Sequence, residues 1–193
     1  AYMILFVTFV ILFLILVNAF YVAAEFAAVS VRRNMIREMA ENGSRVAVHL
    51  LKILENTKEL DRYIAACQFG ITISSLVLGA YGQVELAAYL FPLFERFGGM
   101  DSVMANSAAA LVVLIGLTVF QVILGELMPK SLALQFPKQA ALYTYYPMRW
   151  TLAFFAWFID FLNGSGLLLL KLFRLPPGGH QHIQSQQEDN MLL

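Results

Sequence analysis

The segment LGELMPKSLAL places a carboxylate beside a backbone oxygen that a proline should set free. Pro129 has no amide hydrogen, and its ring clashes with the carbonyl four residues earlier, which belongs to Gly125. We therefore expect the Gly125 carbonyl to be available next to the Glu126 carboxylate. Free carbonyls at membrane depth occur where they are buried in protein or line a cavity. A helix that simply ends at a proline, with Glu126 reaching the surface, is the plain alternative.

Two other apolar stretches carry oxygens that could join this pair. Asn18 lies on the first stretch, and Ser75, with Ser74 beside it, lies on the second. Magnesium takes six oxygens, commonly with one or two carboxylates, so these residues together with Gly125 and Glu126 form a candidate Mg²⁺ site. Sodium fits the same type of ligand.

Polar residues also share faces on these stretches, and they have a second interpretation. The faces carry Gln68, Thr72, Ser75 and Gly79 on the second stretch, and Thr118, Gln121 and Gly125 on the third. Polar groups at membrane depth are costly and often functional, but small and hydroxyl residues also serve helix packing. Glu25 shares a face with Asn18 and is equally consistent with an ion pair to Arg32 or Arg33 and with a ligand role.

Other site chemistries find no support in the residue types. Cys67 is the single cysteine, and we expect no zinc or copper site because no histidine lies in an apolar stretch. The sequence has no HExxH or GxSxG motif, so we expect no enzyme.

The elements that hold these residues must lie in a membrane. Of 193 residues, 60% are hydrophobic and 13% are charged, whereas a soluble domain has about 25% charged residues. The mean hydropathy is +0.69. Thirteen basic residues balance thirteen acidic ones, and this balance argues against a nucleic-acid partner.

Three stretches satisfy the requirement of about 20 apolar residues for a transmembrane helix. We predict an all-α membrane protein with spans at about 2–28, 63–83 and 103–128 and juxtamembrane helices at about 30–61 and 131–174. The first stretch lacks the basic start and cleavage site of a signal peptide, so we expect it to be retained. Tyr145–Phe173 contains Asp160 and the run Asn163–Gly166, which predicts two helices bent into one leaflet; a fourth span is the alternative.

The segment between the first two spans holds seven Lys and Arg residues, whereas the segment between the second and third holds only Arg96. The positive-inside rule then predicts an external N-terminus and a cytoplasmic C-terminus. Lys171 and Arg174 agree with this orientation, and residues 176–193 are predicted to be a linker or tail.

Within the basic segment, Gly43 is expected to end one helix and Ser44 to begin the next. The apolar stripe of this second helix suits either the membrane surface or packing on protein. The stripe consists of Val46, Leu50, Leu51, Ile53 and Leu54.

Three blocks in this order resemble the CorC/CNNM family of magnesium transporters. They are NAFYVAAEFAAVSVRRNMIREMAENG, QFGITISSLVLGAYGQ and GELMPK, and the resemblance covers roughly Ala1–Pro176. It implies a homodimer in the plasma membrane, with three transmembrane helices and a juxtamembrane belt in each subunit. It also implies an outside N-terminus and a cytoplasmic C-terminus that leads to paired nucleotide-binding CBS domains, before which this chain stops.

The resemblance further implies Mg²⁺ export coupled to sodium by alternating access. By position, the family's ligands become Asn18, Ser75 or Ser74, Gly125 and Glu126. Many animal members have serine at the first position, and asparagine is frequent at the second, so the second-span assignment stays open. A magnesium-sensing scaffold that signals to cytoplasmic partners without ion flux is the alternative function.

Overall fold

The computed structural model describes residues 2–99 and 101–172, and every regular element in these ranges is a helix. A π-helical segment, Gln121–Leu127, lies between α5 and α6. The α-helices are α1 (Tyr2–Ser30), α2 (Arg33–Glu41), α3 (Arg45–Glu55), α4 (Thr57–Gly98), α5 (Ser102–Phe120), α6 (Met128–Gln135) and α7 (Pro137–Leu172). The predicted tail, 176–193, and Arg174 lie outside the described residues.

Three helical stretches in the described ranges are long and apolar enough to cross a membrane. They are Tyr2–Ser30, Thr57–Arg96 and Ser102–Gln135. The prediction of an all-α membrane protein with three spans is therefore confirmed.

The helix that carries the second predicted span is much longer than that span. With 42 residues, α4 is about 63 Å long, whereas a hydrocarbon core is about 30 Å thick. It begins early because the Asn56 side chain accepts hydrogen bonds from the amides of Lys58 and Glu59, at 3.1 and 3.4 Å. The helix predicted to reach residue 61 is thus divided at Asn56.

The helices α2 and α3 form a hairpin, as the sequence predicts. Gly43 turns the chain with a φ of +89°, and the Ser44 hydroxyl accepts a hydrogen bond from the Ala47 amide. The apolar stripe of α3 packs on protein, since Leu50 and Leu54 are only 1% and 2% exposed. This result decides between the two interpretations of the stripe.

The prediction of two bent helices within Tyr145–Phe173 is wrong, because α7 continues through this region to Leu172. Glycine weakens a helix by about 1 kcal/mol but does not forbid it. The Ser165 hydroxyl donates to the Leu162 carbonyl at 2.8 Å, so this polar group is satisfied within the helix.

Contacts along α7 show that it crosses α4 rather than running beside it. Met148 lies against Cys67, Phe155 packs edge-on against Phe69, and Asp160 pairs with Arg62. Residues 148–160 of α7, about 18 Å along its axis, therefore meet residues 62–69 of α4, about 11 Å along its axis.

The pair between Arg62 and Asp160 explains how α7 accommodates a carboxylate. The Arg62 Nη2 donates to Asp160 at 3.0 Å, and Nε lies 3.0 Å from the other carboxylate oxygen without the alignment of a hydrogen bond. Asp160 thus lies level with the first turns of α4, and this placement favours a belt over a fourth span.

The outer face of α7 carries a regular aromatic stripe. The exposed residues are Tyr143, Tyr146, Trp150, Phe154, Trp157 and Phe161. Their spacings of three and four residues place them on one side of the helix, and Trp and Tyr are enriched where a membrane meets water. An exposed aromatic stripe of this kind suits a helix that lies along the membrane surface.

The buried apolar residues form two clusters. One joins the C-terminal part of α1 to α2, α3, α6, α7 and the start of α4, and includes Ala27, Ile36, Leu50, Tyr63 and Met148. The other joins the N-terminal part of α1 to α4 and α5, and includes Val7, Ile11, Leu78, Val113 and Leu117. A layer of polar residues lies between the two clusters.

Candidate metal centre

Asn18 lies at the centre of this polar layer and connects all three candidate spans. Its side chain is fully buried, and its Nδ2 donates to the Gly125 carbonyl at 3.0 Å. Its Oδ1 accepts from the hydroxyls of Ser74 and Ser75, at 2.9 and 3.1 Å. We call these four residues, with Gln121, the Asn18 cluster.

The cluster lies deep in the predicted membrane. The midpoint of α1, Tyr2–Ser30, is residue 16, so Asn18 is about 3 Å along the axis from the middle of this helix. Polar groups at such depth are expensive and mark ion or substrate pathways.

Both serines left open by the sequence contact Asn18, but in different ways. The Ser74 hydroxyl also lies 2.7 Å from the Gly70 carbonyl of its own helix. A hydroxyl has only one hydrogen to donate, so Asn18 competes with the backbone for the Ser74 hydrogen. Ser75 receives a hydrogen bond from Gln121 Nε2 at 2.5 Å and can give its own hydrogen to Asn18.

Gln121 belongs to the cluster, although it was not among the predicted ligands. Its position four residues before Gly125, on the same helix face, was the available signal. Thr72 and Thr118, also on the polar faces, donate to backbone carbonyls of their own helices at 2.8 and 2.7 Å. Both threonines are exposed and lie outside the cluster.

The π-helical segment presents Gly125 to Asn18. Here the Met128 amide bonds to the carbonyl of Ile123, five residues back, and such segments occur often at functional sites. Helical structure continues past Pro129 to Gln135, so the alternative of a helix that simply ends at this proline is not observed. The wider register accommodates a residue without an amide hydrogen. The Gly125 carbonyl accepts a hydrogen bond from Asn18 on α1, as expected of a carbonyl that the proline leaves available.

Glu126 is half-buried beside Gly125. Within the described residues its carboxylate has no hydrogen bond or ion pair, so its charge is not offset by a neighbouring cation there. Lys130, four residues on, packs over the Phe26 ring, with Nζ 4.6 Å from the ring centre. Within the described residues, Lys130 therefore does not pair with this carboxylate.

Glu25 does not form an ion pair with Arg32 or Arg33. It accepts a hydrogen bond from Gln68 Nε2 at 3.3 Å, and the salt bridges of the described residues are Arg37–Glu55 and Arg62–Asp160.

The available atoms restrict which metals the centre could hold. Nowhere in the described ranges do three His, Cys, Asp or Glu residues gather. A metal in the Asn18 cluster would therefore be held by amide, hydroxyl and carbonyl oxygens with the carboxylate of Glu126. Such a set suits Mg²⁺ or another hard cation.

The substitution Gly125→Ala should disrupt this centre. A Cβ at this position would lie 2.9 Å from Asn18 Nδ2, so either the Asn18 amide or the π-helical segment must shift and the hydrogen bond between them is disturbed. We expect a loss of about 1–3 kcal/mol of stability and an at least tenfold weaker Mg²⁺ affinity, measured by thermal unfolding and calorimetric titration. Gly79→Ala is the matched control, because a Cβ there meets nothing within 4 Å. Equal behaviour of the two variants would contradict the proposed packing.

Comparison with known proteins also identifies a transmembrane domain. Residues 9–193 match the family model described as the cyclin M transmembrane N-terminal domain, CNNM. The chain is 39% identical over 182 residues to the UPF0053 protein YhdT of Bacillus subtilis, covering 93% of this chain and 38% of that protein. It is 35% identical to the UPF0053 protein YrkA of the same organism, covering 93% of this chain and 41% of YrkA.

A more distant relative carries a functional name. The polyamine export protein of Haemophilus influenzae is 24% identical over 162 residues, covering 84% of this chain and 36% of that protein. The chain thus spans less than half the length of these relatives. Its family model, its close relatives and its three candidate spans lead to one conclusion: this chain belongs to the CNNM transmembrane domain family.

Proposed function

We propose that the chain is the membrane domain of a transporter that exports Mg²⁺ across the plasma membrane in exchange for sodium. One observation supports a hard cation such as magnesium. Oδ1 of Asn18 lies 2.9 and 3.1 Å from the two serine hydroxyl oxygens. Neighbouring oxygens in an octahedral Mg²⁺ shell are also about 3 Å apart, so these oxygens already have a spacing that the ion can use.

The cluster can therefore exchange hydrogen bonds for metal bonds with little movement of its oxygens. Rotation of the Ser74 and Ser75 hydroxyls would turn their lone pairs toward the ion. The Gly125 carbonyl has a second lone pair, so it can accept from Asn18 Nδ2 and still bind an ion. Glu126 supplies the negative charge that offsets the loss of water from the ion.

The hydrogen bonds of Asn18 also suggest how transport proceeds. They join α1, α4 and the π-helical segment, so a tilt of one helix against the others would open the site to one side at a time. We propose an external N-terminus, a cytoplasmic C-terminus, a homodimer, and CBS domains in the full-length protein. Sodium would bind the same or neighbouring oxygens.

The distant polyamine exporter raises a second substrate. A polyamine is long and carries several ammonium groups, so it needs several separated acceptors. The Asn18 cluster is compact, and its contacts span 2.5–3.1 Å. This compactness favours a bare ion.

The test is flux from liposomes that contain the purified protein and are loaded with Mg²⁺. We expect Mg²⁺ efflux that increases with an inward sodium gradient and is not inhibited by spermidine. Mg²⁺ binding without flux would favour a magnesium-sensing scaffold, and export of spermidine without Mg²⁺ would favour polyamine transport. Either result would overturn the proposal.

A further inference from the structure

We infer that Glu25 and Gln68 form a second cation site, two helical turns from the Asn18 cluster. The inference rests on the proposed cation transport and deepens that proposal, since it adds a second binding site along the pathway of the same ion.

The first argument is the register of the two helices. On α1, Glu25 follows Asn18 by seven residues, and on α4, Gln68 precedes Ser75 by seven residues. Asn18 bonds to Ser75 and Glu25 bonds to Gln68, so α1 and α4 run antiparallel and carry two polar contacts about 10 Å apart. In the described residues, the side-chain hydrogen bonds between these helices occur only at these two levels.

The second argument is the unbalanced charge of Glu25. It is half-buried in a candidate span, where a carboxylate normally pairs with a cation. No described Lys or Arg lies within ion-pair distance of it. Lys130, which packs on the adjacent Phe26, directs its ammonium group over that ring. A cation from solution is the partner that this carboxylate lacks.

The third argument is the free oxygens at this level. Gln68 donates through Nε2 to Glu25 Oε1, and its own Oε1 receives no hydrogen bond from the described residues. Glu25 Oε2 is likewise without a donor there. A hard cation could thus take oxygens from both helices, as it would at the Asn18 cluster.

The fourth argument is continuity between the two levels. Gln68, Thr72 and Ser75 share one face of α4, and the first two are exposed. Their oxygens lead from the Glu25 level to the Asn18 cluster, so an ion leaving one level can be partly coordinated before it reaches the other.

The test counts bound Mn²⁺ by electron paramagnetic resonance, since Mn²⁺ prefers the same oxygen ligands as Mg²⁺. We expect Glu25→Gln to bind one fewer Mn²⁺ per protomer than the wild type, and Gln68→Leu to weaken the same site at least tenfold. Asn18→Ala should also lose one ion, but a different one, so the double variant Asn18→Ala/Glu25→Gln should lose both. Glu85→Gln is the matched control, because Glu85 is a half-buried carboxylate near the opposite end of α4.

The outcomes separate the inference from the proposed function. Wild-type Mn²⁺ binding by Glu25→Gln would overturn the second site, and it is also the result expected if Glu25 merely holds a proton. Unchanged binding by Asn18→Ala would instead overturn the proposed function. Thermal unfolding verifies that each variant is folded, and Glu25→Gln retains an oxygen that can accept from Gln68.

Discussion

Replacement of Glu126 by glutamine is expected to abolish Mg²⁺ efflux from loaded liposomes. Glutamine keeps the size and one oxygen of the side chain but removes the negative charge of the residue that follows Gly125. Removing one partner from a buried pair of charges costs about 3–5 kcal/mol, which corresponds to a reduction of roughly a hundredfold or more in affinity. The measurement is the initial efflux rate at several internal Mg²⁺ concentrations.

The control is again Glu85→Gln, which removes a half-buried carboxylate from the same protein without touching the cluster. It should transport at close to the wild-type rate. If Glu126→Gln transported equally well, the carboxylate would have no part in the mechanism, and the charge balance proposed for the centre would be wrong.

Replacement of Asn18 by alanine should remove both stability and magnesium binding. The Gly125 carbonyl would lose its Asn18 donor, and a buried polar group left unsatisfied costs about 1–3 kcal/mol. The two serines would lose their shared acceptor, and α1 would no longer be tied to either neighbour at this level. Calorimetric titration with Mg²⁺ and thermal unfolding measure the two effects.

Two further variants make the Asn18 result specific. Thr118→Val removes a hydroxyl that bonds only to its own helix, so this variant should bind Mg²⁺ with the wild-type affinity. Asn18→Ser restores a hydroxyl oxygen, the group found at this position in many animal members of the family, and should retain more affinity than Asn18→Ala. Unchanged Mg²⁺ affinity in Asn18→Ala would exclude this residue as a ligand.

Much of the site could be predicted because its residues break a strong apolar pattern. Asn18, Ser74 and Ser75 are polar in stretches where polarity is costly, and Pro129 predicts the available carbonyl of Gly125 from local sterics alone. Their meeting in three dimensions was expected from the family resemblance, and the contacts of Asn18 show it. The ligand role of each remains a prediction.

The features that could not be predicted depend on contacts between distant residues. Gln68 is 43 residues from Glu25, and only the register of α1 against α4 makes them partners. Arg62 is 98 residues from Asp160, so the sequence shows the cost of the carboxylate but not its compensation. In α7, burial of Met148 and Ile159 stabilises a helix that Gly164 and Gly166 would weaken on their own.

The π-helical segment makes the length of this stretch part of the mechanism. A wide turn holds a residue more than an α-helical register would need, and each residue in an α-helix turns the chain by about 100°. Deleting one residue between Gln121 and Leu127 would let this segment return to an α-helical register. The side chains after the deletion would then be rotated about the helix axis relative to those before it. A one-residue deletion in this segment should therefore disturb the site even when every residue of the Asn18 cluster is kept.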